Sequence, residues 1–214
     1  MGFYSRHIMP TLVSCGCSLP MITDERRKVV PRAAGVVLEL GAGSGLNLGL
    51  YDPAKVERVF GLEPDPAMRA KASRRTSRAA VPVTVLPETA EAVSLPDRSV
   101  DTVLVTFAMC TIPDVAAALA GARRVLKPGG RLLFCEHGKS PEPDVFRRQM
   151  QLDPLWGRVF GGCHLTRDIP ALIAAAGFRI DDIEAGYIQP PSRLGGAMAR
   201  VGGYLYRGSA LAPA

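Results

Sequence analysis

The sequence has few aromatic residues and no long apolar run. Aromatic side chains make up 6% of its 214 residues, and tryptophan occurs once. No stretch reaches the roughly 18 consecutive apolar residues of a membrane-spanning helix. No basic start followed by an apolar run marks a secretory signal. These absences predict a cytoplasmic protein.

Cysteine is also scarce, with five residues whose spacing suggests no pairing. An odd number argues against a disulfide framework, and the spacing matches no four-ligand zinc site. Cys163 and His164 are adjacent, but neighbouring residues of an extended chain point to opposite faces, and the sequence shows no third ligand beside them. We therefore predict reduced thiols and no bound metal.

The charge is basic but dispersed. The net charge is +6, and the densest basic runs, 26–28 and 74–75, are diluted by their neighbours. Neither run has the interleaved aromatics of a single-strand nucleic-acid surface, so we expect no nucleic-acid partner and no obligatory protein partner. An amphipathic N-terminal region allows a peripheral contact with a membrane.

Short apolar runs alternate with longer polar or Ala-rich stretches from Val36 onward, which is typical of βαβ units. This pattern predicts an α/β fold with a mostly parallel seven-stranded sheet flanked by helices. The clearest predicted helices are Val115–Leu126 and Ile169–Ala176, each followed by helix-stopping glycines. The predicted strands are Val36–Leu40, Arg58–Leu62, Val83–Leu86, Thr102–Phe107, Arg131–Glu136, one near Phe178–Ile183 and one near Gly203–Arg207.

The length suits one domain, 1–214. Helical spacing before the first strand, interrupted by Pro10 and Pro20, predicts a helical lid over 1–34. We assign 35–187 to a ligand-binding core and 188–214 to a C-terminal strand region, entered by the Pro/Gly-rich stretch from Gln189 to Gly196.

A glycine-rich turn, Gly41-Ala42-Gly43-Ser44-Gly45, follows the first predicted strand directly. Such turns let a ligand approach the backbone. The spacing differs from the dinucleotide pattern, and Glu39 ends the strand, where its carboxylate would repel a pyrophosphate but could meet an ammonium group. Glu63 ends the second strand and is placed to accept hydrogen bonds from two ribose hydroxyls. Both acids favour a ligand with a ribose and an ammonium group over one with a pyrophosphate.

Three further segments stand in a recognisable order: Glu88–Asp101, Thr106–Ile112 and Arg124–Gly130. Together with the turn, they resemble the class I S-adenosylmethionine-dependent methyltransferases, which have a Rossmann-like fold. Thr89 stands where many relatives have Asp, which could pass the adenine contact to Glu91. The resemblance implies S-adenosyl-L-methionine as cofactor, held by Glu39, Gly41, Ala42, Gly43, Gly45, Asn47, Glu63, Pro64, Thr89, Ala90, Glu91, Thr106, Phe107, Ala108 and Cys110.

Other details resemble the small bacterial relatives of the thiol S-methyltransferases. They are Gly45-Leu46-Asn47 with Tyr51, Glu136-His137-Gly138, and Gly161–Arg167. The resemblance implies a small thiol acceptor. We expect acceptor contacts from Tyr4, His7, Trp156, Cys163 and Arg167, with Trp156 in the segment between the fifth strand and the next helix.

His137 follows the fifth strand and is the candidate general base. The alternative is that His137 or Glu136 only fixes the loop by hydrogen bonding. Arg167 could bind an acidic acceptor or pair with Asp153 or Asp168.

Two alternatives to thiol methylation remain open. The acceptor could be an amine, a phospholipid or a quinone, which the basic charge encourages. The chain could also bind the cofactor without catalysis.

Overall fold

The computed structural model describes residues 9–188 and 200–212. One seven-stranded sheet organises them, in the order β3-β2-β1-β4-β5-β7-β6. β1 to β5 are parallel, and β7 runs antiparallel to both β5 and β6. The strands are β1 Gly35–Leu40, β2 Val56–Leu62, β3 Val83–Leu86, β4 Val100–Thr106, β5 Leu126–His137, β6 Arg179–Tyr187 and β7 Tyr204–Leu211.

Helices cover both faces of the sheet, and several begin at a capping side chain. Asp65, Asp114 and Asp168 each accept a hydrogen bond from a backbone N–H of the first helical turn, which satisfies an otherwise free donor. In the described ranges, no helix combines the length and apolarity that crossing a bilayer requires. The helices are α1 Met9–Cys17, α2 Pro20–Val29, α3 Pro66–Thr76, α4 Val115–Val125, α5 Pro143–Val159 and α6 Ile169–Ala175.

The predicted α/β class and mostly parallel sheet are confirmed, and the strand limits differ by local chemistry. β4 ends at Thr106 because Phe107 takes a left-handed φ of 52°. β5 begins at Leu126, five residues before its predicted start, since the chain leaves α4 directly into pairing with Val100. The segment around Trp156 is itself helical and belongs to α5, which accommodates Pro154 internally.

Two apolar layers fix the sheet. Side chains of β1, β4 and β5 pack on one face against α4 and α6, and those that alternate with them pack on the other face around α2. Because both faces are covered, the central residues of these strands are mostly apolar. Because β1, β2, β4 and β5 are parallel, their carboxyl ends meet at one edge of the sheet. Ligands bind at this edge in open α/β sheets.

Candidate active site

The glycine-rich turn after β1 adopts backbone conformations that favour glycine. Gly41, Gly43 and Gly45 have φ values of 70°, 56° and 77°, a region that L-residues rarely enter. A Cβ at Gly41 would lie 2.6 Å from the Cβ of Ala108. A Cβ at Gly43 would have no neighbour closer than the Gly41 carbonyl oxygen, at 3.9 Å. Gly43 therefore borders open space.

That space is a cavity of about 410 Å³ at the ends of β1, β2 and β4, here called the glycine cavity. Its volume lies within the range of small-ligand sites. The structure also brings Met9, Val13, Asp65 and Met68 to its walls, which the sequence did not single out. Nine of the fifteen predicted cofactor residues line it: Gly41, Gly43, Glu63, Pro64, Thr89, Ala90, Glu91, Phe107 and Ala108.

Glu63 is held firmly at the wall of the glycine cavity. Its Oε2 accepts a hydrogen bond from the Gly43 backbone N–H at 3.0 Å, and its Oε1 accepts one from the Asp65 N–H at 2.8 Å. Each carboxylate oxygen can accept a second hydrogen bond. Burial raises the pKa of Glu63 above its usual value, although these two N–H groups oppose the shift. Glu63 is thus positioned to accept two hydroxyl groups.

Glu39 does not face the glycine cavity. Its carboxylate accepts hydrogen bonds from Asn47 Nδ2 and from the Tyr51 hydroxyl, both at 2.7 Å. Arg26 of α2 donates to Asn47 Oδ1 at 3.0 Å and to the Thr106 hydroxyl. Glu39 is 1% exposed and does not line the glycine cavity, so its expected direct contact with a ligand ammonium stays a prediction.

These residues form a buried polar network beneath the turn. Glu39, Asn47 and Thr106 hold the turn in place. They do not line the glycine cavity, nor do Ala42 and Gly45, and the predicted contacts of all five with the cofactor stay predictions. Burial raises the pKa of Glu39, and its hydrogen bonds oppose the shift. Arg26 was missed because its sequence neighbours Arg27 and Lys28 carry the same charge, and only its helical spacing to the buried Val29 sets it apart.

The loop after β4 is fixed by Glu136 and Arg167. The buried Glu136 carboxylate accepts hydrogen bonds from the backbone N–H groups of Ala108, Met109 and Cys110, at 2.7, 3.0 and 3.3 Å. Burial raises the pKa of Glu136 to about 8. The alternative role proposed for Glu136, fixing the loop, is confirmed.

Arg167 was predicted to contact an acceptor or to pair with a nearby aspartate. Instead, its guanidinium donates to the backbone carbonyl oxygens of Met109 and, at 2.8 Å, Ile112. Asp153 is bonded to His164 and to the Leu165 N–H, and Asp168 caps α6. Both bonds use Nη1, and Arg167 lines neither of the cavities described here. Its predicted contact with the acceptor stays a prediction, and the bonds it makes in this structure fix the loop.

A second, smaller cavity of about 340 Å³ adjoins the first and is here called the cysteine cavity. Its walls are largely apolar and include Cys17 of α1, Cys110 and Cys163. Val13, Phe107, Thr111 and Phe160 line both cavities. A ligand in one cavity would therefore lie next to a ligand in the other, along these four shared residues.

Cys110, His137 and Cys163 converge on one side of the cysteine cavity. Their ligand atoms all lie within 4.8 Å of one another. His137 Nε2 lies 3.0 Å from Cys163 Sγ, and the indole N–H of Trp156 donates to that sulfur at 3.3 Å. Tyr4 and His7, the other predicted acceptor residues, lie outside the described residues.

The three groups perturb one another electrostatically. A hydrogen bond with Cys163 lowers the pKa of the Cys110 thiol well below its usual value, although burial opposes the shift. The same bond raises the pKa of Cys163. Burial works against a charged His137 ring, yet Cys110 raises the pKa of His137 above its usual value. The protonation of Cys110 is thus linked to that of His137 and Cys163.

We expected no metal because the sequence shows no third ligand beside Cys163 and His164. The structure places Cys110 and His137 beside Cys163, so that reason no longer holds. His164, adjacent to Cys163, turns away and bonds Asp153 at 2.8 Å. The sequence places no other metal ligand next to Cys163 and His164. Cys110 and His137 come from the ends of β4 and β5, which only the parallel sheet brings together.

Comparisons with known proteins agree with this architecture. Residues 38–134 match the family model described as a methyltransferase domain. The chain is 31% identical over 72% of its length to a thiol S-methyltransferase of Rattus norvegicus, of which it spans 64%. It is 30% identical over 81% of its length to the demethylmenaquinone methyltransferase of Thermus thermophilus, of which it covers 87%.

Among solved structures, one described as a methyltransferase in complex with the Haloferax volcanii Trm112 methyltransferase activator superimposes with a TM-score of 0.73. That likeness covers 97% of this chain and 98% of the other, at 19% identity, and so concerns the fold. The fold is Rossmann-like, with two adjoining cavities at the carboxyl edge of its sheet. The chain belongs to the class I methyltransferases, which use S-adenosyl-L-methionine.

The glycine cavity fits that cofactor on its own geometry. Glu63 keeps acceptor capacity for two ribose hydroxyls, and the open space at Gly43 lets an adenosyl group approach the backbone. The predicted cofactor is thereby supported, and the contacts of individual residues with it stay predictions.

Proposed function

We propose that this chain transfers a methyl group from S-adenosyl-L-methionine to small apolar thiols. The observation that carries the proposal is the apolar cysteine cavity, which shares a wall with the glycine cavity and presents Cys110, His137 and Cys163. The similarity to a thiol S-methyltransferase supports it.

The reaction requires alignment more than activation. The acceptor's thiolate sulfur attacks the methyl carbon in line, and the bond between that carbon and the sulfonium sulfur breaks with its electron pair remaining on the cofactor. The products are a methyl thioether and S-adenosylhomocysteine. A cavity that excludes water and orients the sulfur supplies most of the required catalysis.

A proton must leave the thiol before or during attack. A free thiol has a pKa of about 8.5, so only modest help is needed near neutral pH. We propose that the Cys110–His137 pair takes this proton, with His137 as the predicted base and Cys110 as the group whose charge raises its pKa. The pair would then return the proton to solvent.

Charged acceptors fit this cavity poorly. Among the described residues, no Asp or Glu lines the cysteine cavity. An ammonium group buried there would lack a counter-charge, which is costly in an apolar site. Trp156 offers an aromatic face, which attracts a cation but carries no counter-charge. An amine or a phospholipid headgroup is therefore a weaker candidate than an uncharged thiol.

A quinol is the second candidate, because the Thermus demethylmenaquinone methyltransferase is similar over most of its own length. An apolar cavity would also admit a quinol ring. Methylation of a ring carbon depends on removing a phenolic proton with a pKa near 10, and so requires a base more strictly than thiol methylation does.

The test is S-adenosylhomocysteine formation by mass spectrometry, with apolar aryl and alkyl thiols, charged thiols, a demethylated quinol, amines and phospholipid vesicles. We expect turnover on the apolar thiols. His137→Asn should lower that rate by about tenfold to a hundredfold. His164→Asn, at a histidine bonded to Asp153 outside the cavity, is the matched control and should retain the rate.

Exclusive turnover of the quinol would replace the proposal with the second candidate. Tight cofactor binding with no product from any acceptor would support the non-catalytic alternative.

A further inference from the structure

Three metal-ligating groups surround one point on the wall of the cysteine cavity, and no other role accounts for all of them. Cys110 follows β4, His137 ends β5, and Cys163 follows α5. A tetrahedral zinc with Zn–S near 2.3 Å and Zn–N near 2.0 Å holds its ligand atoms roughly 3.5–3.8 Å apart. The observed separations, from 3.0 Å between His137 and Cys163 to a limit of 4.8 Å, bracket that spacing.

We propose that Cys110, His137 and Cys163 bind one thiophilic divalent cation, Zn²⁺, with its fourth position open to the cysteine cavity. Three protein ligands and an open position are the arrangement of catalytic rather than structural zinc sites. Thiolate and imidazole ligands suit zinc and not the oxygen-seeking cations Mg²⁺ or Ca²⁺.

The backbone carrying the ligands is fixed without any metal. Glu136 accepts from the Cys110 N–H, and the Cys110 carbonyl oxygen accepts from the His164 N–H at 2.8 Å. That second bond ties the Cys163 loop to the β4 loop. Asp153 holds the same loop through the Leu165 N–H. A site held this way is preorganised for its ligand.

Both sulfurs also have polar neighbours suited to thiolates. Trp156 donates its indole N–H to Cys163 Sγ, and the Thr111 hydroxyl lies 3.5 Å from Cys110 Sγ. Such outer contacts orient metal ligands and tune them. Two thiolates with a neutral imidazole balance a divalent charge, so the filled site would be neutral in its apolar surroundings.

The open position gives the cation a role in the proposed function. A thiol that coordinates there loses its proton on binding, and the proton passes to solvent. The coordinated sulfur would then attack the methyl carbon as described above, and His137 would serve as a ligand in place of a base. This role depends on the proposed function, whereas the binding of the cation does not.

The test is the zinc content of the full chain, purified without a histidine tag from zinc-supplemented cells and measured by mass spectrometry of the metal. We expect about one zinc per chain. Cys110→Ser, Cys163→Ser and His137→Gln should each lose most of it. Cys17→Ser, a thiol on the same cavity wall, and His164→Gln are the matched controls and should keep it.

Cobalt(II) added to metal-free protein gives a second readout that needs no activity. Thiolate-to-cobalt charge-transfer absorption should appear in the wild type and weaken in Cys110→Ser and Cys163→Ser. Circular dichroism of each variant verifies that it is folded.

A wild type without zinc and without the cobalt spectrum overturns the metal site, as does zinc content unchanged in the three ligand variants. Thiol turnover by zinc-free protein would overturn the catalytic role of the cation and leave both its binding and the proposed function standing. Zinc bound at the site with no thiol methylated would overturn the proposed function and leave the metal site standing.

Discussion

Two glutamates, Glu39 and Glu63, flank the glycine-rich turn and have different roles. Glu39 is 1% exposed, and both of its oxygens accept hydrogen bonds from Asn47 and Tyr51. Glu63 accepts only backbone N–H groups and borders the glycine cavity. The first therefore stabilises the turn, and the second is available to a ligand. Only side-chain packing separates these roles.

Glu63 should make cofactor affinity depend on pH. Its pKa is raised by burial, so it takes up a proton at a higher pH than an ordinary carboxyl with a pKa near 4.3. Protonation removes acceptor capacity. The dissociation constant of S-adenosylhomocysteine, measured by calorimetry, should therefore rise as pH falls through that raised pKa, and affinity should be full above it.

Glu63→Gln should weaken binding by roughly three- to tenfold above that pKa, where the lost hydrogen bonding is worth about 0.5–1.5 kcal/mol. Glu63→Gln should also remove the acid limb, which is the rise of the S-adenosylhomocysteine dissociation constant as pH falls. Glu57→Gln, at an exposed position on β2, the strand that Glu63 directly follows, is the control and should follow the wild type. An acid limb that persists in Glu63→Gln would exclude Glu63 as its source.

At the scale of elements, the antiparallel edge of the sheet depends on a glycine that the sequence did not mark. β7 lies between β5 and β6, and its register with β6 shifts between Ile180 and Asp182. A Cβ at Gly208 would lie 2.1 Å from the Asp182 carbonyl oxygen and 3.0 Å from the Ile183 Cα. Those atoms are backbone and cannot rotate away.

Gly208→Ala should therefore destabilise the protein by roughly 2 kcal/mol or more, the range of overpacked buried sites. Gly186→Ala is the matched control, because Gly186 lies on the neighbouring strand β6 and a Cβ there meets nothing within 4 Å. Its stability should be unchanged or slightly higher. Urea unfolding measures both, and equal midpoints would contradict the close strand approach at Gly208.

The sequence predicted elements better than contacts. Val83–Leu86 was located without error, since a short apolar run between turn residues suffices. The helical character of the Trp156 segment was missed, because Pro154 and Gly157 read as helix breakers. The Cys110–His137–Cys163 cluster could not be predicted from the sequence, because its members are 26 or more residues apart along the chain. The strand order of the folded sheet brings them together.

At the scale of the whole molecule, the two N-terminal helices differ in how they are attached. α2 carries Arg26 into the buried network and Glu25 into an ion pair with Arg207 of β7 at 2.9 Å. α1 buries only Pro10, yet it lines both cavities through Val13. The lid predicted from the sequence should therefore reduce to α1, with α2 belonging to the body.

Amide hydrogen exchange of the full chain tests this division. Local opening costs less free energy where few groups are buried, so α1 amides should exchange at least about tenfold faster than those of α2. S-adenosylhomocysteine in the glycine cavity would contact the Met9 and Val13 side and should slow exchange in α1 while leaving α2 unchanged. The matched comparison is α4, which packs against the sheet away from either cavity. Equal protection of α1 and α2 without ligand, or protection by ligand in α2 alone, would contradict a mobile α1, since access to both cavities would then require opening the body itself.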